Sequence, residues 1–117
     1  MADSLVAQKS YQFALRIVKL FKHLKEQKIE YVLAKQLLRS GTSIGANAEE
    51  AIAAQSKADF IHKLHIALKE TRETGYWLRL LKDSGNLDNN GYESIYADCL
   101  ELQKMLSSII LTAKSKA

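Results

Sequence analysis

Three pairs of acids or histidines stand three residues apart near the middle of the chain: Asp59 with His62, His62 with His65, and Glu70 with Glu73. On a helix that spacing puts both members on one face. Four-helix bundles use such pairs, in the form Glu-x-x-His, to hold two metal ions between them. A di-metal site needs four carboxylates and two histidines converging inside, whereas only one acid-x-x-His occurs here. His62 and His65 also face away from the apolar stripe of Phe60 and Leu64. The sequence therefore predicts no metal and no cofactor, with both histidines in solvent.

Glu70 and Glu73 lie on a side of their helix bounded by Ile66, Trp77 and Leu81, an apolar border that should partly cover them. Partly buried acids require partners, and neither has a Lys or Arg four residues on. They are expected to form a polar seam with a basic or polar group of another helix or subunit. Acid-base catalysis is the weaker reading, because it would also need a cleft that a small bundle has little room to provide.

Other catalytic sets are lacking. The single cysteine, Cys99, falls among apolar helix positions with no flanking His or Lys, and reads as a small buried hydrophobe rather than a nucleophile. The segment from Gly41 to Gly45 has neither the spacing nor the Lys of a phosphate-binding loop. No Ser/His/Asp or Cys/His set stands out, and the expectation is a protein that is not an enzyme.

The basic residues are unevenly placed. The net charge is +4 and the pI about 9.2, yet Lys9 to Arg39 alone holds eight Lys or Arg against two acids, Glu26 and Glu30. Arg16, Lys19, Lys22, Lys25 and Lys28 recur every third residue, so each step slips about 60° around a helix and the charges spiral over its outer surface. Such a spiral can follow a phosphate backbone; it can equally be a solubilising face. Arg16, Lys19, Lys22, Lys25, Lys35 and Arg39 are the candidate nucleic-acid contacts.

Helices must position all of these groups. The 117 residues are 47% hydrophobic and 26% charged, with no proline and five glycines, which favours long helices joined by short connections. One domain, residues 1–117, accounts for the chain. Helices are predicted at about 4–27, 30–55, 57–83 and 90–114, with Phe13, Ile17, Leu20, Phe21 and Leu24 as the core stripe of the first. Helix 2 is read as continuous through Gly41 and Gly45, because the phase of Leu33 and Leu37 carries on to Ile44, Ala48 and Ile52. Ser56 and Asp59 form a capping arrangement for helix 3, whose stripe is Phe60, Leu64, Ala67, Leu68, Thr71, Gly75 and Leu78. Asp83 to Gly91 is the one strong loop, with Gly85 and Gly91 suited to positive φ. The fold class is all-α, an antiparallel up-down-up-down four-helix bundle.

Some apolar residues exceed what one core requires. Tyr11, Leu15 and Val18 lie nearly opposite the stripe of helix 1, and Ile66, Trp77, Leu80 and Leu81 spread beyond that of helix 3. Tyr11, Leu15, Val18, Ile66, Trp77 and Leu80 are therefore candidate oligomer contacts. No segment is long and apolar enough for a signal peptide or a membrane span, which predicts a cytoplasmic protein without membrane association.

Two long spans, QLLRSGTSIGANAEEA from Gln36 to Ala51 and DFIHKLHIALKETRETGYWLRLL from Asp59 to Leu81, resemble the bacterial four helix bundle protein family, also called 23S rRNA intervening sequence proteins. The resemblance covers roughly Lys9 to Ala113. It implies a bundle that assembles into a ring or barrel-like homopentamer. Some members are encoded within large-subunit rRNA genes, and a related branch supplies the accessory variability determinant of diversity-generating retroelements, a basic pentamer that contacts nucleic acid and a reverse transcriptase. The family has no accepted catalytic residues to carry over. Two functions follow as expectations: an oligomeric accessory protein that binds RNA or DNA through a basic surface, or a scaffold that binds another protein through exposed apolar helix faces, its basicity incidental.

Overall fold

Each connection spans only a few residues, so each helix must turn back along the one before it. The computed structural model describes residues 2–116 and contains α1 (Ala2–Glu26), α2 (Tyr31–Ile52), α3 (Lys57–Asp83) and α4 (Asn89–Ser115). Contacts join α1 to α2, α2 to α3, α3 to α4 and α4 back to α1, and among the described residues the diagonal pairs do not meet. This is the up-down-up-down bundle expected, a rod of 50 × 20 × 19 Å. No helix among the described residues is long and apolar enough to cross a membrane.

The helix ends show why the boundaries fall where they do. At the end of α1, Lys28 adopts φ 56°, while Lys28 N–H donates to the Lys25 carbonyl and Ile29 N–H to that of Leu24. This double closure normally favours glycine at its left-handed position, which is why the sequence signal there is weak. Glu30 caps α2, accepting from Val32 N–H at 3.3 Å. Ser56 caps α3 as expected, accepting from Asp59 N–H at 3.1 Å. That cap needs an extended backbone at Ser56, so α2 stops at Ile52, short of the predicted residue 55. Gly85, at φ 82°, closes α3 in the same way that Lys28 closes α1. Gly91 does not take the positive φ that the sequence suggests: Asp88 accepts from its N–H at 2.7 Å and makes it part of the first turn of α4.

α2 runs unbroken through both glycines because α1 passes close beside it. A Cβ on Gly41 would stand 2.7 Å from Ile17 Cγ1, and one on Gly45 3.4 Å from Ser10. Ser10 is wholly buried at this crossing, and its hydroxyl has no hydrogen-bond partner among the described residues. The core also takes in Val6 and Ala34, together with Leu37, Ile44, Leu64, Leu78, Leu102 and Leu106. Three assignments change. Leu81 is fully buried and Trp77 packs against the core, because the α2–α3 contact widens the covered arc of α3. Ile52 is exposed, with Ala51, one residue back and 100° around the helix, taking the inward position.

Between α2 and α3 the core carries the buried hydroxyls of Ser40, Thr71 and Thr74, each with a hydrogen-bond partner. Thr74 Oγ1 donates to the Glu70 carbonyl at 2.7 Å and lies 3.0 Å from Ser40 Oγ. Thr71 Oγ1 donates to the Leu68 carbonyl at 2.7 Å.

Candidate functional site

The charged residues sort into three groups according to what the bundle brings next to them. The first lies along the α1–α4 seam, the sparsest of the four helix contacts. Arg16 donates from Nη1 to Asp98 and from Nη2 to the Ser94 hydroxyl at 2.9 Å. Lys9 Nζ sits 3.0 Å from Glu101. These pairs flank a depression of about 220 Å³ floored by Phe13 and Leu102. Cations and carboxylates alternate along it, so it has no net preference for either sign of ligand.

The second group is on the α2–α3 face. Arg39 Nη1 lies 3.4 Å from Glu70 Oε2, and Nη2 pairs with Glu73. Trp77 Nε1–H donates to Glu73 Oε2 at 3.3 Å. The Glu70 side chain is only 15% exposed, and its Oε1 is buried with no hydrogen-bond partner among the described residues. Glu70 and Glu73 are thus brought together with a basic group of another helix. Arg39 is the partner, and the Trp77 indole adds its hydrogen bond to the seam.

The third group consists of cations left without partners. Lys19, Lys22 and Lys25 are exposed on α1 with no ion pair among the described residues. Lys35 is exposed on α2, its Nζ 5.3 Å from the centroid of the Tyr31 ring. Of the six cations singled out in the sequence, then, Lys19, Lys22, Lys25 and Lys35 are available, whereas Arg16 and Arg39 are engaged inside the bundle's own seams. An acid on a neighbouring helix claims each arginine, and sequence spacing within one helix cannot reveal that.

A further set of cations, on α3, lies outside the six that spacing singles out. Arg72, Tyr76 and Arg79 follow one another at helical spacing and line a groove of about 190 Å³ against Tyr96, Leu100 and Gln103 of α4. Neither arginine has a carboxylate partner among the described residues. Arg79 Cζ lies 5.9 Å from the Tyr76 centroid, and Tyr76 is 50% exposed. Gly75 forms part of the floor, where a Cβ would come 3.4 Å from Tyr96 Cε1. Desolvation holds the Tyr92 phenol above its usual pKa, Tyr96 adds to this, and the nearby Arg79 charge opposes it. An alternation of cation and aromatic on the polar side of α3 was the signal available in the sequence.

Tyr11 and Leu15 are 58% and 48% exposed on α1, while Val18 is half-buried. Ile66 and Leu80 are half-buried on α3, and Trp77 is occupied as described above. His62 and His65 are exposed, and among the described residues no three His, Cys, Asp or Glu side chains converge as a metal site would require. Cys99 is buried, its Sγ–H donating to the Thr71 carbonyl at 3.2 Å, and burial pushes the thiol up to about 12.

The model of the 23S rRNA-intervening sequence protein family matches residues 2–108. Among solved structures, a protein of unknown function from the S23 ribosomal protein family of Bacteroides thetaiotaomicron is 57% identical, with a TM-score of 0.90 over 94% of this chain and 98% of that one. No curated protein matches the chain.

Proposed function

The chain belongs to the 23S rRNA-intervening sequence protein family, and from that premise we propose that it is a non-enzymatic, oligomeric accessory protein of the cytoplasm that binds RNA or DNA with little sequence preference. The observation that carries this reading is the set of exposed lysines on α1, Lys19, Lys22 and Lys25, free of acidic partners among the described residues while the arginines near them are tied down. Lysines exposed in this way can replace counterions along a phosphate backbone, a contact that carries no sequence information. Repetition of the lysine row around an oligomer, a pentamer in the family resemblance, multiplies the field each copy presents. Tyr11 and Leu15 supply apolar surface for the contact between copies.

Charge reversal at Lys19 and Lys22 together is the test, read by fluorescence anisotropy with rRNA fragments and duplex DNA. Affinity should fall for all sequences alike and decline steeply with salt in the parent protein. Equal affinity of parent and variant at low salt would contradict the role given to these lysines.

A protein-binding scaffold is the second reading, favoured by Leu111 and Leu5, which stay 71% and 45% exposed away from the α1 lysines. A partner such as a reverse transcriptase, retained after nuclease treatment, would support it.

A further inference from the structure

We infer that the α3–α4 groove is a subsite for single-stranded nucleic acid, with the phosphates on either side of one nucleotide against Arg72 and Arg79 and its base against Tyr76. This rests on the nucleic-acid reading above and adds a place and a strand preference to it. Three observations carry it.

The first is charge. Arg72 and Arg79 both line the groove, and neither has an acidic partner among the described residues, whereas Arg16 and Arg39 are each paired across a helix seam. Asp83, one turn beyond Arg79, sits 3.7 Å from Lys82 Nζ, which offsets its charge. An unpaired guanidinium presents a planar fork of donors suited to phosphate.

The second is the ring between the two cations. Seven residues of helix separate the arginines by about 10 Å along the axis, with Tyr76 in between. Arg79 lies over that ring, which nonetheless stays half exposed. Tyr96 and Leu100 extend the apolar wall from α4. An exposed ring flanked by cations is how proteins without base-edge contacts hold an unpaired base, by stacking, while the backbone is tracked by charge.

The third is shape. A groove of about 190 Å³ admits a ring-sized group, and in a duplex the bases are stacked inside and unavailable to Tyr76. The exposed lysines of α1 would contact phosphates alone and should not distinguish the two forms.

The test compares a short labelled oligouridylate with a blunt duplex, using the full chain, by anisotropy and light scattering. Arg72→Ala with Arg79→Ala should weaken oligouridylate binding about tenfold or more and duplex binding far less. Tyr76→Ala should do likewise, and Tyr76→Phe should restore affinity, since a stacked base is worth roughly 1–3 kcal/mol, or about 5- to 150-fold. Lys19→Glu with Lys22→Glu should weaken both probes. Unchanged oligouridylate binding in the arginine variant, or equal loss on both probes, overturns this inference and leaves the proposed function standing. So does a fall in assembly mass on substituting the arginines, which would make the groove a contact between copies. No binding of either probe by the parent protein overturns both.

Discussion

Arg16 of α1 reaches across the seam to Asp98 of α4, and its second nitrogen donates to the Ser94 hydroxyl at 2.9 Å. Both ends of the pair are nearly half exposed, so its energetic worth is that of a well-oriented surface pair, about 0.5–1 kcal/mol. Arg16→Ala should lower stability by that amount in urea titration and leave oligonucleotide affinity closer to the parent than Lys19→Ala does. A larger affinity loss for Arg16→Ala would return this residue to the binding surface.

Gly41 is required by the α1–α2 approach. An added methyl would meet Ile17 Cγ1 at 2.7 Å and Cγ2 at 2.9 Å, atoms held by a stiff β-branched side chain that cannot swing away. Overpacking of this kind costs about 1–3 kcal/mol, against roughly 1 kcal/mol gained from replacing glycine in a helix. Gly41→Ala should be net destabilising by about 1 kcal/mol, and Ile17→Ala in the same chain should cost less than it does alone. Simple additivity in a double-mutant cycle would contradict the contact.

Two helix ends share one geometry with different residues. Lys28 and Gly85 both sit at positive φ after α1 and α3, where a side chain is strained and glycine is not. Lys28→Gly should raise stability, and Gly85→Ala lower it, by about 1 kcal/mol each. A lower melting temperature for Lys28→Gly, or a higher one for Gly85→Ala, would refute the assignment.

The Cys99 thiol, pushed up to about 12 by burial, should react with alkylating reagents at the rate of global unfolding. Because the folded state holds its proton more tightly than the unfolded one, the thiol contributes stability below about pH 9 that is lost as pH rises toward about 12. Cys99→Ala should remove that part of the alkaline decline in stability, measured against the parent over the same pH range.

The helices were legible because an apolar period of 3.6 continues through each, and because Ser56 and Gly85 are local signals that act on their own neighbours. The seams were not. Arg16 and Asp98 are 82 residues apart in sequence, and Arg39 meets Glu73 only because α2 lies beside α3. A run of lysines along one helix stands out in the sequence, whereas a groove such as that of Arg72, Tyr76 and Arg79 exists only once α4 supplies its second wall. Glu70 and Glu73 fall between these cases. The need for a partner could be argued from their apolar border, but the identity of Arg39 could not.

Light scattering of the full chain, alone and with a short RNA, tests the central claim most directly, since assembly and binding appear in one mass. The account predicts a single species several times the 13.2 kDa of one chain, gaining the mass of bound RNA at low salt and losing it as salt is raised. A particle of one-chain mass from which the RNA elutes separately at low salt would contradict it.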